Sequence, residues 1–152
     1  MDVSSAISDI PPQQFDVIIS HHCVENVPCP SQALSELRSY LTNNGKLIIV
    51  VPFNNWRVQR RINTNDKDHH LHTWTLRLLN NTLIEAGYRA QEMRVLTHAW
   101  SRGWHKLYRR VPIRVLDALC MIWSALRHKR QLLAVATKDT SVITGPDQSC
   151  AP

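Results

Sequence analysis

Two short stretches carry apolar, largely β-branched side chains without regular polar alternation: FDVIIS, Phe15–Ser20, and KLIIVV, Lys46–Val51. Such runs predict strands buried on both faces, of the kind found in parallel sheets. Between them Ser31 follows Pro30 as a helix N-cap. Leu34, Leu37, Tyr40 and Leu41 recur at helical spacing, and Asn43-Asn44-Gly45 marks the stop. Strand, helix, strand is a βαβ unit, whose crossover is expected to be right-handed.

Past Pro52 the pattern loses its period from Phe53 to Thr73, a stretch holding Asn54, Asn55, Trp56, three arginines and three histidines. A loop of this length inside a domain is usually functional or disordered. It starts at the end of the second strand, where open α/β sheets bind ligands. Thr75 then caps a predicted helix to Ala86, with Leu76, Leu79, Leu83 and Ala86 on one face and Gly87 just past its end. Tyr88–Thr97 alternates as a strand, Met93 and Val95 on one side and Arg94 on the other. Ile113–Leu126 predicts a helix with Leu116, Leu119, Cys120 and Trp123 on one face, and Gln131–Lys138 a last strand. Residues 1–138 are thus expected to form the domain, and 139–152, polar and proline-containing, a disordered tail.

Composition sharpens this only a little. The 152 residues are 43% hydrophobic and 20% charged, which suits one folded domain. A net charge of +6 suits an anionic substrate, an acidic lipid surface or nucleic acid without choosing among them. Met1–Ile10 carries Asp2 and Asp9 and no signal-like segment. The most apolar run, Val111–Leu126, is interrupted by Arg114 and Asp117 and is shorter than the ~20 residues a bilayer demands. Cys23, Cys29, Cys120 and Cys150 show no disulfide-framework spacing. A soluble cytoplasmic chain with no transmembrane segment is the expectation.

The order of elements, and the segments SHHCVENVPCPSQALSELRSYLTNNGKLIIVVP (Ser20–Pro52) and HLHTWTLRLLNNTLIEAGY (His70–Tyr88), resemble the class I S-adenosylmethionine-dependent methyltransferases, in particular their small-molecule branch. The resemblance spans Phe15–Lys138. It implies an α/β fold in which this chain supplies the C-terminal strands of a Rossmann-like sheet, the last strand antiparallel, with flanking helices. It implies S-adenosylmethionine as cofactor and methyl transfer to an O, N or C acceptor on a small molecule. The family's glycine-rich turn after its first strand has no counterpart. Gly45, Gly87, Gly103 and Gly145 are the only glycines, and no two lie close enough to form such a loop. The chain is therefore expected to be the C-terminal part of such an enzyme, inactive alone. Its Phe15–Ser20 edge would pair with an N-terminal half or with a second copy.

By the same resemblance Asp2, or else Asp9, meets the adenine amine, and Val3, Ser20 and His21 border the cofactor. His22, Asn54, Trp56, His70 and His72 line the acceptor side, and His21 and His22 are the candidates for catalysis. Asn26 stands where the family pattern more often has histidine after Glu25, and an amide carries no proton near neutral pH.

Each constellation has a plainer reading. His21 and His22 could face solvent and cap a backbone group. DKDHHLH, Asp66–His72, lacks metal-ligand spacing, so no metal is expected. Pro28-Cys29 resembles the nucleophile of cytosine-5 methyltransferases, but it falls at a helix entrance. The residues Arg57, Arg60, Arg61, Arg102, Lys106, Arg109 and Arg110, interleaved with Trp56, Trp100, Trp104 and Tyr108, could bind nucleic acid. No base-flipping motif follows either strand, which argues against an RNA-directed enzyme. A basic, apolar helix around Trp123 could lie on a membrane, but its place between two strands favours packing on the sheet. A non-catalytic methyltransferase-like binding module is the alternative from another class.

Overall fold

The computed structural model describes residues 11–53, 70–97, 108, 110–126 and 130–141. Four strands, β1 (Phe15–His21), β2 (Leu41–Pro52), β3 (Tyr88–Leu96) and β4 (Gln131–Lys138), form one sheet in the order β1-β2-β4-β3. β1 and β2 are parallel, and β4 runs antiparallel to both of its neighbours, as the resemblance implied for the last strand. Among the described residues three helices join them: α1 (Pro30–Tyr40), α2 (Leu76–Glu85) and α3 (Ile113–Leu126). No helix among the described residues is long and apolar enough to cross a membrane.

The core lies on one face of the sheet. Leu47, Ile49 and Val51 of β2 pair in register with Ala136, Ala134 and Leu132 of β4, and all six are buried. Larger residues on β2 stand opposite two alanines on β4, which leaves room for Leu34 of α1 and Leu79 and Leu83 of α2 in the same cluster. Tyr88 closes the cluster, its hydroxyl donating to the Leu34 carbonyl at 3.1 Å. Burial pushes that phenol far above the ordinary tyrosine range, against an opposing pull from Arg38.

The α2 boundaries follow from local chemistry. Thr75 accepts the Leu78 amide on its hydroxyl at 3.2 Å, and Gly87 takes φ +78°, as its place past the helix end requires. A Cβ on Gly87 would lie 3.1 Å from Nε of Arg38, which donates to the Gly87 carbonyl at 3.0 Å and, through its other nitrogen, to Asp139 at 3.0 Å. One guanidinium thereby ties α1 to the turn before β3 and to the exit of β4.

Four expectations need correction. The N-cap of α1 is Cys29, with Pro30 in the first turn, so Ser31 is already helical. Asn43-Asn44-Gly45 does not stop the helix: the chain turns extended at Leu41, which is fully buried, and β2 runs from there. Gly45 permits this, since a Cβ would fall 2.6 Å from the Leu41 side chain.

The third concerns β1, which is not buried on both faces. Ile18 packs against the core, but Phe15, Val17 and Ile19 are 40%, 48% and 67% exposed. They point to the opposite face, and among the described residues β1 has a neighbour, β2, on one side only. On α3, Leu116 and Cys120 are buried as expected, but Leu119 is exposed and Ser124 buried in its stead. The tail reading beyond Ser141 lies outside the described residues.

Candidate functional site

The turn after β1 is shaped by backbone before any side chain contributes. His22 extends the ladder by one amide, donating to the Val50 carbonyl at 2.9 Å, and then adopts φ +52°. A left-handed non-glycine residue costs about 1–2 kcal/mol and persists only where its surroundings hold it. Here a single 3₁₀ turn, Val24–Asn26, follows directly and presents Glu25 inward with no exposed surface.

Glu25 is the hub. Its main-chain carbonyl accepts the amides of Leu71 at 2.9 Å and His72 at 3.1 Å, which draws the segment His70–Trp74 against the turn. Its carboxylate Oε1 lies 3.1 Å from Nδ1 of His22 and 4.0 Å from Nε2 of His70, while Oε2 has no hydrogen-bond partner among the described residues. Burying a carboxylate is costly without paired donors, so the two imidazoles are what make the position tenable. Nδ1 of His22 donates to Oε1, because a carboxylate only accepts.

His72 latches the same segment from its other end. Its Nε2 donates to the carbonyls of Val27 at 2.9 Å and Pro28 at 3.3 Å. Trp74 is buried, bridges in parallel to Phe53 just past β2, and lies 6.0 Å by ring centroid from His72. The turn after β1 and the segment before α2 are thus gathered at the C-terminal ends of β1 and β2, the position of ligand crevices in open α/β sheets.

Of the residues singled out from sequence, Ser20 and His21 stand at the end of β1, and His21 meets the His22 ring edge-on at 4.5 Å between centroids. His22 and His70 come together on Glu25. His72 is committed to backbone carbonyls instead. Asp2, Val3, Asp9, Asn54 and Trp56 lie outside the described residues, as does the basic-aromatic patch apart from Tyr108 and Arg110. Glu25 was missed: it was weighed only as a motif neighbour of Asn26. The usable signal was an acid three residues after His22, within reach of one turn.

Cys29 is disulfide-bonded, whereas Cys23 and Cys120 are free thiols. This corrects the expectation of four reduced cysteines and removes the nucleophile reading of Pro28-Cys29, since a disulfide sulfur holds no thiolate. Among the described residues no three acidic, histidine or cysteine groups are arranged to hold a metal ion.

Comparison with known proteins adds the family. The model of a family described as methyltransferase domain matches residues 2–100. No curated protein matches the sequence. Similar solved structures include the [4+2]-cyclase SpnF, 14% identical, with 86% of this chain aligned to 53% of that one at a TM-score of 0.54. A putative methyltransferase from Bacillus halodurans is 14% identical over 87% of this chain and 73% of its own, TM-score 0.56. The Burkholderia thailandensis 1,6-didemethyltoxoflavin-N1-methyltransferase, solved with 1,6-didemethyltoxoflavin and S-adenosylhomocysteine, is 14% identical over 84% of this chain and 45% of its own, TM-score 0.53. The chain therefore spans about half the length of the first of these and of the last.

Proposed function

Because the chain belongs to the methyltransferase-domain family, we propose that it forms the acceptor side of a site for S-adenosylmethionine-dependent methyl transfer to an O, N or C atom of a small molecule. The observation that carries this reading is the meeting of the post-β1 turn and the His70–Trp74 segment on Glu25, at the C-terminal ends of β1 and β2. The Burkholderia relative, solved with a small-molecule ligand and S-adenosylhomocysteine, supports the substrate class and the cofactor.

The chemistry of the site fits one end of that cofactor. A buried carboxylate with an unpartnered oxygen makes the local potential negative, the sign a sulfonium requires. When bound, the cofactor supplies a methyl group activated on sulfur. Ser20 and His21 would border it, with Asp2 or Asp9, and Val3, toward the adenine; His22, Asn54, Trp56, His70 and His72 would shape the acceptor side. The glycines among the described residues do not serve as a cofactor cradle. Gly45 packs on Leu41 and Gly87 on Arg38.

The cradle therefore comes from a cofactor-side unit whose strand pairs with the open edge of β1, or else the edge is taken by a second copy. The free thiols Cys23 and Cys120 suit a cytoplasmic location, and the disulfide at Cys29 counts against it.

Calorimetric titration of the chain with S-adenosylmethionine tests the reading. Binding is expected only when a cofactor-side half is added, and micromolar binding by the chain alone would remove the need for that half. Failure to bind with or without it would favour the second reading, a non-catalytic module. The cyclase supports only that a similar fold need not carry out methyl transfer.

A further inference from the structure

We infer that His22 and Glu25 form a proton-accepting pair, with Nε2 of His22 as the base and Glu25 as the residue that positions it, so that the methyl acceptor is a hydroxyl or N–H group. This rests on the methyl-transfer reading above and narrows its substrate class.

The tautomer follows from the hydrogen bond. Nδ1 of His22 faces a carboxylate oxygen 3.1 Å away and must carry the hydrogen, which leaves the lone pair of the neutral ring on Nε2. Among the described residues Nε2 makes no hydrogen bond, and the side chain is 34% exposed, so a ligand can reach it. Glu25 is clamped at its backbone by the amides of Leu71 and His72, and its side chain is fully buried against His22. The ring is held on its other side by the edge contact with His21 and by the left-handed backbone fixed to Val50. The titratable groups facing the pair are His21, Glu25 and His70.

This is the carboxylate–imidazole logic of general-base catalysis. The acceptor O–H or N–H bond breaks and its proton goes to Nε2; an electron pair on the heteroatom would form the bond to the methyl group while the methyl–sulfur bond breaks, its pair going to sulfur, which leaves as a neutral thioether. The imidazolium formed lies against the Glu25 carboxylate and is stabilised there, and Nε2 later returns the proton to water.

Nitrogen NMR of the full chain labelled at histidine reads the tautomer directly. His22 is expected in the Nδ1–H form, and to revert toward the commoner Nε2–H form in Glu25→Leu. An Nε2–H ring in the unaltered chain, or no change in the variant, overturns the proposal. If Glu25→Leu does not fold, Glu25→Gln carries the test through diethyl pyrocarbonate, which acylates unprotonated imidazole nitrogen. Modification of His22, located by mass spectrometry, is expected to slow by about threefold or more once the carboxylate is gone, and an unchanged rate overturns the pairing. Neither measurement depends on methyl transfer. Their failure removes the dyad alone, whereas failure to bind S-adenosylmethionine with or without a cofactor-side half removes the reading it rests on.

Discussion

Strands β1 and β4 are of nearly equal length and both rich in apolar residues, yet they live in different environments. β4 lies between β2 and β3 and buries every second side chain, Leu132, Ala134 and Ala136. Among the described residues β1 has a single neighbour, and its Phe15, Val17 and Ile19 remain exposed. The same apolar content contributes stability only where neighbours exist both across the sheet and above its face, at roughly 1.5–3 kcal/mol per fully buried side chain.

The sharpest way to break this contrast is to cut side chains on both strands. Leu132→Ala, in the packed cluster, is expected to lower urea-unfolding stability by about 3 kcal/mol. Val17→Thr on β1 should stay within about 0.5 kcal/mol. Comparable losses at the two positions would mean that the exposed face of β1 is covered in solution.

Next comes the turn that anchors the far end of the sheet. Gly87→Ala combines a left-handed φ with an approach of 3.1 Å to Arg38 and should cost about 1–2 kcal/mol. Arg38→Met in that background should recover part of the loss if the contact, rather than φ alone, is at fault.

A smaller effect concerns Tyr88 and appears only at high pH. Its folded-state phenol titrates above its unfolded value of about 10. The stability tied to the neutral form is therefore complete below that pH and is lost as the pH rises past it. Tyr88→Phe should lose about 1 kcal/mol at neutral pH, with the hydrogen bond to Leu34, and flatten the alkaline decline in a denaturation series.

The smallest effect on stability tests the open edge. Ile19→Lys should leave the unfolding midpoint almost unchanged but suppress any concentration-dependent association seen by sedimentation, because a charge on an edge strand discourages pairing. Association that persists in this variant would place the contact elsewhere.

Local patterns carried much of the fold. The limits of α3 and β4, the Thr75 cap and the Gly87 turn all came from periodicity and capping chemistry within a few residues. The start of β2 did not, because burial of Leu41 overrode the Asn-Asn-Gly stop signal. In the candidate site His22 and His70 were legible as strand-end and loop histidines, but the carboxylate joining them was not. Glu25 is made a hub by amides 46 and 47 positions later, at Leu71 and His72.

The chain's own order of residues determined which segments become helix or strand, since hydrogen-bonding period and turn chemistry act over a few neighbours. It also determined the family, through segments that keep their spacing. Only the tertiary structure decided that β4 enters between β2 and β3, that Glu25 is sealed from water between two imidazoles, and that the apolar strand Phe15–His21 lies at an edge. Each of these depends on which distant surfaces meet, and burial is a property of the pair rather than of either segment alone.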